Sequence, residues 1–263
     1  MPERTEYANG TPSWVDLATT DVVAAESFYG GILGWEAEQM LAGEGIYSMQ
    51  RVGGSDAAGI YDQMEDQKAA GIPPSWMTYI SVDDVDATTA KVVPAGGSVM
   101  AEAFDVMDVG RMSMIGDPTG AVVALWQAKG PARARLVDEH GAISWNEFMS
   151  SDAAASRSFF ETVLDVTHAP MDEGHGYTMM MAGGAPVAGI VQRVEQMPTL
   201  ANPWLVYFAV DDCDVAFEKA TSTGASVIVP PMDIPPGRFA ILKDPQGAEF
   251  AVIKPKPEFS GGS

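Results

Sequence analysis

Two runs along this chain alternate apolar and polar positions in the same way. Trp14-Val15-Asp16-Leu17-Ala18 and Trp145-Asn146-Glu147-Phe148-Met149 each carry a Trp and a carboxylate two residues apart. Side chains alternate across a strand, so Trp14 and Asp16 share one face, as do Trp145 and Glu147. Each run ends in a polar cluster that suits a helix start, Thr19-Thr20-Asp21 in one and Ser150-Ser151-Asp152 in the other. After the first cluster, Ala25, Phe28, Tyr29, Ile32 and Leu33 recur at helical spacing until Gly34 stops the run, which predicts one amphipathic helix with one buried face. Short apolar or alternating runs near 36–40, 46–52 and 57–62 read as strands, and residues 63–75, with Gly71, Pro73 and Pro74, read as a loop. The pattern then restarts: a strand from Met77, a helix from Asp84 to Val93 ended by Pro94-Ala95-Gly96-Gly97, and strands near 98–104, 111–115 and 121–127. Asp117-Pro118-Thr119-Gly120 places Asp, Pro and Gly where a type I turn uses them and closes the last hairpin.

The whole scheme is written twice. Trp14 matches Trp145 and Phe28-Tyr29 matches Phe159-Phe160 at an offset of 131; Ala58-Gly59-Ile60 matches Ala188-Gly189-Ile190 at 130. Trp76 with Val82-Asp83-Asp84 matches Trp204 with Val210-Asp211-Asp212 at 128, and Asp117-Pro118-Thr119-Gly120 matches Asp244-Pro245-Gln246-Gly247 at 127. An internal repeat of this kind sets the architecture. Each half holds two modules of strand, helix and three strands, in an α+β fold. The expected domains are 1–127 and 142–257, with a linker at 128–141 and a disordered tail at 258–263. Helices are expected near 153–164 and 212–222 in the second half.

Composition narrows the partners. The hydrophobic fraction of 46% over 263 residues is ordinary for a globular chain, and the net charge of −21 is shared by both halves. Such a surface repels phosphate backbones and anionic lipid, so neither nucleic acid nor membrane is expected as a partner. The single Cys213 excludes an internal disulfide, and with no signal-peptide pattern or long apolar run the expected location is cytoplasmic.

The βαβββ order, the Asp21 helix start followed by Phe28-Tyr29 and Leu33-Gly34-Trp35, the Val-Asp-Asp helix starts and the closing Asp-Pro-x-Gly turns together resemble the vicinal oxygen chelate superfamily, which includes glyoxalase I, extradiol dioxygenases and bleomycin-resistance proteins. The resemblance covers roughly residues 11–127 and 142–254, and the tandem arrangement is similar to actinobacterial glyoxalase-like proteins. It implies two tandem glyoxalase-like domains, each a pair of βαβββ modules curled into a cup. In metal-using members three ligands come from defined strand positions. Counted onto this chain, these fall on Trp14, Met77 and Ala124 in the first half and on Trp145, Leu205 and Ala251 in the second. None of these side chains ligates a hard divalent cation. His140, His168 and His175 lie apart and are expected in loops or at the surface, so no metal and no other cofactor is expected.

Alternation from those positions directs Asp16 and Glu147, Tyr79 and Tyr207, and Val122 with Trp126 or Glu249 with Ile253 toward the cups. Trp14, Met77, Trp126, Trp145 and Leu205 become candidate ligand-binding residues, and Asp16, Glu147, Tyr79 and Tyr207 candidate catalytic ones. A carboxylate walled by Trp has its pKa raised toward acid–base use; the same pair also serves as a satisfied buried contact that holds the cup's shape. Arg111 and Arg238 follow Gly at the start of matching strands and read either as anchors for an anionic ligand or, in better accord with the many acids, as rim salt bridges.

Three functions remain open. One is a metal-independent binding protein for an apolar or aromatic metabolite, for sequestration or self-resistance. Another is a metal-independent isomerase, lyase, glyoxalase-like detoxifier or secondary-metabolism enzyme using Asp16 or Glu147 as general acid or base. The third is an interaction protein with vestigial cups. The reading sets aside metal-dependent dioxygenase and glyoxalase I chemistry. It leaves the chain either a monomer with an internal pseudo-dimer or a homodimer.

Overall fold

A computed structural model describes residues 6–42, 45–130, 136, 139–171 and 176–257. The first half runs β1 (Pro12–Thr19), α1 (Val22–Leu33), β2 (Glu36–Ala42), β3 (Gly45–Val52), β4 (Ser55–Asp62), α2 (Glu65–Ala69), β5 (Ser75–Ser81), α3 (Val85–Val92), β6 (Ser98–Val106), β7 (Gly110–Gly116) and β8 (Val122–Ala128). The second runs β9 (Ile143–Ser150), α4 (Ala153–Leu164), β10 (Thr167–Pro170), β11 (Tyr177–Ala182), β12 (Ala185–Gln192), β13 (Trp204–Ala209), α5 (Cys213–Ser222), β14 (Ser226–Ile234), β15 (Gly237–Lys243) and β16 (Glu249–Pro255). The predicted modules are thus all present, in two tandem α+β units. One element was not predicted: α2 lies inside the expected loop at 63–75, and none of its residues is buried, so no apolar periodicity marks it. The expected tail and His175 fall outside the described residues.

Each half closes its own sheet of eight strands, in the order β2-β3-β4-β1-β5-β8-β7-β6 and β10-β11-β12-β9-β13-β16-β15-β14. β1 sits at the centre of the first sheet, parallel to β4 and antiparallel to β5, and β9 occupies the same place in the second. Every strand of a cup therefore comes from one half. The four module helices open on Asp21, Asp84, Asp152 and Asp212, whose carboxylates accept from the backbone N–H groups of Ala24, Ala87, Ala155 and Val215. Such caps contribute about 1 kcal/mol each.

The faces opposite the cups supply the core, and that core is shared. Val15, Leu17, Ile60 and Trp76 of the first sheet, with α1, pack against Val206, Phe208, Phe250 and α5 of the second half. Reciprocally, Ile80, Leu125 and α3 pack against Phe148, Ile190, Trp204 and α4. Trp35 and Trp76 meet Phe208 edge-on at ring separations of 5.2 and 5.1 Å. Polar contacts cross the same boundary. Tyr29 on α1 donates to Asp244 Oδ2 in the second half's closing turn at 3.0 Å and accepts from Trp76 Nε1 at 3.1 Å. The matching Asp117 Oδ2 accepts from Ser156 on α4 at 2.5 Å. Cys213 is buried at the first turn of α5 within this core, as its helix position implies.

No helix among the described residues is long and apolar enough to cross a membrane.

Candidate functional site

Asp16 lies at the centre of the first cup because β1 is the central strand and its even-numbered side chains face inward. Its register partners are Met77 on β5 and Gly59 on β4, while Trp14 stands opposite Tyr79 and Tyr79 opposite Ala124 on β8. The carboxylate is 5% exposed. Its Oδ1 accepts from the Trp14 indole at 2.5 Å and from the Tyr47 hydroxyl at 2.7 Å, and the Tyr79 hydroxyl bonds to it as well. Burial and the Asp16 charge together hold the Tyr79 phenol well above its usual range, so it remains a protonated donor. Tyr61 is raised for the same two reasons and stacks on Tyr47 at 6.5 Å.

The second cup repeats the plan with one more methylene. Glu147 stands opposite Leu205 on β13 and Gly189 on β12. Tyr207 donates to its Oε1 at 3.3 Å and Tyr177 bonds to it too. Here the Trp145 indole donates to the Tyr177 hydroxyl at 2.8 Å. Glu147 keeps a little solvent contact at its edge but sits deep enough that burial raises its pKa to about 6, against the opposing effect of the two tyrosine donors. Burial and the Glu147 charge push both Tyr177 and Tyr207 well above the ordinary phenol range.

The expected carboxylate–Tyr pairs are thus formed in both cups, but each is a triad. Tyr47 and Tyr177 were not among the sequence candidates, nor were the glycines that make room for them. A side chain at Gly59 would overlap Asp16 Oδ1 and the Tyr47 hydroxyl, and one at Gly189 would overlap the Tyr177 hydroxyl. A signal was available. Tyr47 and Tyr177 repeat at the same offset of 130 as the Ala-Gly-Ile runs that hold those glycines.

The remaining candidates fall as follows. Trp14, Tyr79, Met112 and Ala124 form the buried floor of the first cup, with Met77 and Trp126 packed on it. Leu205, Tyr207, Phe239, Ala251 and Ile253 form the second, against which Trp145 packs. Leu200 and Met197, from the connection before β13, also pack into the second cup. Glu249, expected to face that cup, is committed elsewhere: it accepts from the Ala201 N–H at 2.7 Å and pairs with Lys243 at 3.2 Å. Arg111 and Arg238 do form rim salt bridges, to Asp86 and Asp105 and to Asp214 and Asp233. His140 is in a loop, where it accepts from the Asp211 N–H. His168 corrects the expectation of a surface or loop histidine. It lies on β10 with its side chain 6% exposed, its Nδ1 2.9 Å from Glu161 and its Nε2 without a partner.

The first cup encloses a cavity of about 500 Å³, and Trp14, Asp16, Met40, Tyr47, Tyr79 and Trp126 are among its walls. Its indole, thioether and phenol surfaces surround one buried carboxylate.

Fold and cups together define a protein of two tandem glyoxalase-like domains. The chain belongs to the Glyoxalase/Bleomycin resistance protein/Dioxygenase superfamily: that family's model matches residues 11–125, and the model of a glyoxalase-like domain matches residues 147–253. CFP32 of Mycobacterium tuberculosis (strain CDC 1551 / Oshkosh), a glyoxylase by name, is 48% identical over 98% of this chain and 100% of its own length. The anthracycline biosynthesis protein DnrV of Streptomyces peucetius is 35% identical over 98% of this chain and 99% of its own. Among solved structures, the Mn(II)-bound glyoxalase from Novosphingobium aromaticivorans is similar in fold, with a TM-score of 0.65 at 17% identity, covering 97% of this chain and 90% of that one. The 2,3-dioxygenase LapB from Pseudomonas sp. KL28 gives 0.62 at 13% identity, over 96% of both chains.

The Mn(II)-bound glyoxalase among these structures implies a metal, and the residues present here do not fit one. The counted ligand positions carry indole, thioether, isobutyl and methyl groups. Among the described residues no three His, Cys, Asp or Glu side chains are grouped so as to hold an ion. Each triad offers a single carboxylate, and its partners are neutral phenols and an indole, which are poor ligands for a hard cation.

Proposed function

We propose that this chain is a metal-independent small-molecule-binding protein that holds a largely apolar or aromatic metabolite in its first cup, for sequestration or self-resistance in the cytoplasm. The cavity of about 500 Å³ carries this reading. Its size falls within the range of small-molecule sites, and aromatic walls around one fixed polar group are the usual composition of such sites. Two relatives named for anthracycline biosynthesis, DnrV and the DauV protein of a Streptomyces species, add support, since an anthracycline is a flat aromatic compound. Trp14, Met112 and Trp126 serve as contact surfaces, Met77 supports the floor without lining the cavity, and Asp16 with Tyr47 and Tyr79 fixes orientation. Trp14 and Trp126 line the cavity, so quenching of Trp fluorescence by a panel of quinones, flavonoids and polycyclic aromatics should be strong and saturable. Silence across the panel would remove the reading. Stoichiometric Zn, Fe or Mn in the natively purified protein would overturn metal independence.

A second reading rests on Glu147. A carboxyl with a pKa of about 6, lying between two phenols and beside an indole, is suited to general acid–base work near neutral pH. It would make the second cup the seat of an isomerase, lyase or glyoxalase-like step, with Tyr177 and Tyr207 holding the carboxyl in place. For any substrate on which turnover is found, Glu147→Gln should abolish turnover and retain binding; unchanged turnover excludes the role.

A further inference from the structure

The lining of the first cup has a sign. Three carboxylates border the cavity, Glu6 and Asp83 at the mouth and Asp16 on the floor, and no Lys, Arg or His is among its described lining residues. Asp83 and Glu6 are exposed, whereas Asp16 is buried. Five aromatic rings, Tyr7, Trp14, Tyr47, Tyr79 and Trp126, share the same walls. Tyr79 and Trp126 meet edge to face, 6.3 Å apart at 81°, so the two rings stand nearly at right angles in the cavity wall. Burial first, and the Asp16 charge second, hold up both the Tyr61 and the Tyr79 phenols, so the Asp16 field reaches both.

These features select among apolar or aromatic ligands by charge. An organic anion entering the cavity meets three carboxylates and five electron-rich rings. A protonated amine meets the same groups with the opposite sign. Cation–π attraction favours it at each ring it faces and rises as water is excluded. Coulomb attraction to a carboxylate within a few ångströms adds to it most where solvent is least. The chain's net charge of −21 also concentrates cations around the molecule as a whole.

We propose that the ligand of the first cup is an arylalkylamine, positively charged at neutral pH, with its ring against Trp14, Trp126 and Met112 and its ammonium group directed toward Asp16 and the acidic mouth. This rests on the binding reading given above and narrows it to one charge class; it excludes thioester, carboxylate and phosphate metabolites as ligands of this cup.

The test uses the full-length protein and three naphthalenes of equal size: 2-naphthylmethylamine, 2-naphthylmethanol and 2-naphthoate, each titrated by calorimetry at pH 7 in low salt. The amine should bind about tenfold or more tighter than the alcohol, and the naphthoate more weakly than either. Its advantage should shrink as salt is raised. Asp83→Asn and Glu6→Gln, both at exposed positions, should each lower amine affinity about two- to threefold and leave the alcohol unchanged. Asp16→Asn should bring the amine and the alcohol together. Naphthoate binding as tightly as the amine would overturn the charge assignment while leaving the binding reading intact. Failure of all three to bind would overturn the binding reading itself, and the inference with it.

Discussion

Glu147 and Asp16 differ by one methylene, and the difference changes the wiring. Asp16 is short enough for the Trp14 indole to reach it directly, whereas Glu147 receives the Trp145 indole only through Tyr177. The pKa of Glu147, raised from 4.5 to about 6 chiefly by burial, has a consequence for stability. Between those two values the folded chain binds more protons than the unfolded one. The stability that Glu147 contributes is therefore complete below pH 4.5 and is lost as pH rises through 6, by about 2 kcal/mol in all. Denaturant unfolding at pH 4.5 and pH 7.5 should show the wild type losing about 2 kcal/mol relative to Glu147→Gln; parallel behaviour of the two proteins would mean that Glu147 titrates as an ordinary carboxyl. At this scale strand alternation made the carboxylates, both tryptophans and the β5 and β13 tyrosines legible. Alternation did not reach Tyr47 and Tyr177, which lie on strands without helix-start or turn signals and are marked only by their shared repeat offset of 130. The burial of His168 was also hidden, since nothing local distinguishes an edge-strand histidine under a helix from one in solvent.

Among elements, the least conspicuous strands matter most to the cups. β4 and β12 contribute a glycine where a side chain would otherwise fill the space of the carboxylate triad. A methyl group at Gly59 has backbone on one side and Asp16 with Tyr47 on the other, so it must displace the triad. Gly59→Ala should lower ligand affinity in the first cup at least tenfold, as a displaced polar anchor predicts, and Gly189→Ala should disturb the second cup alone; equal affinity in Gly59→Ala and wild type would show that the triad does not orient the ligand. Helices and their Asp caps were plain from sequence because cap, apolar spacing and stop signal agree. α2 was invisible because it has only five residues and buries none. The inner strands were readable to within a few residues, but no local feature of the chain gave their order in the sheet.

At the scale of the molecule, the repeat in the sequence predicted two cups, but not how fully each half would depend on the other for its core. Tyr29 joins the halves through its hydrogen bond to Asp244, and a second bond, from the Trp76 indole, holds the same hydroxyl beneath an aromatic cluster. Removing the hydroxyl in Tyr29→Phe leaves the Trp76 indole and one Asp244 oxygen unpaired, at a cost of about 1–3 kcal/mol; urea unfolding measures this directly, and a loss below about 0.5 kcal/mol would show that the network is only incidental to the packing. The second half already carries the natural counterpart of that change, for Phe160 stands where the first half has Tyr29, and the Trp204 indole nitrogen is without a partner. The reciprocal packing also bears on how the chain is made. Tyr29 meets Asp244 across 215 residues of sequence, and Trp76 waits for Phe208. A nascent chain that has emerged only as far as β8 has all eight strands of its first sheet but leaves the aromatic back of that sheet open to water. Its interior is completed only when the closing turn of the second half leaves the ribosome, so the N-terminal half is exposed to proteases and to other unfinished copies for nearly the whole of its synthesis.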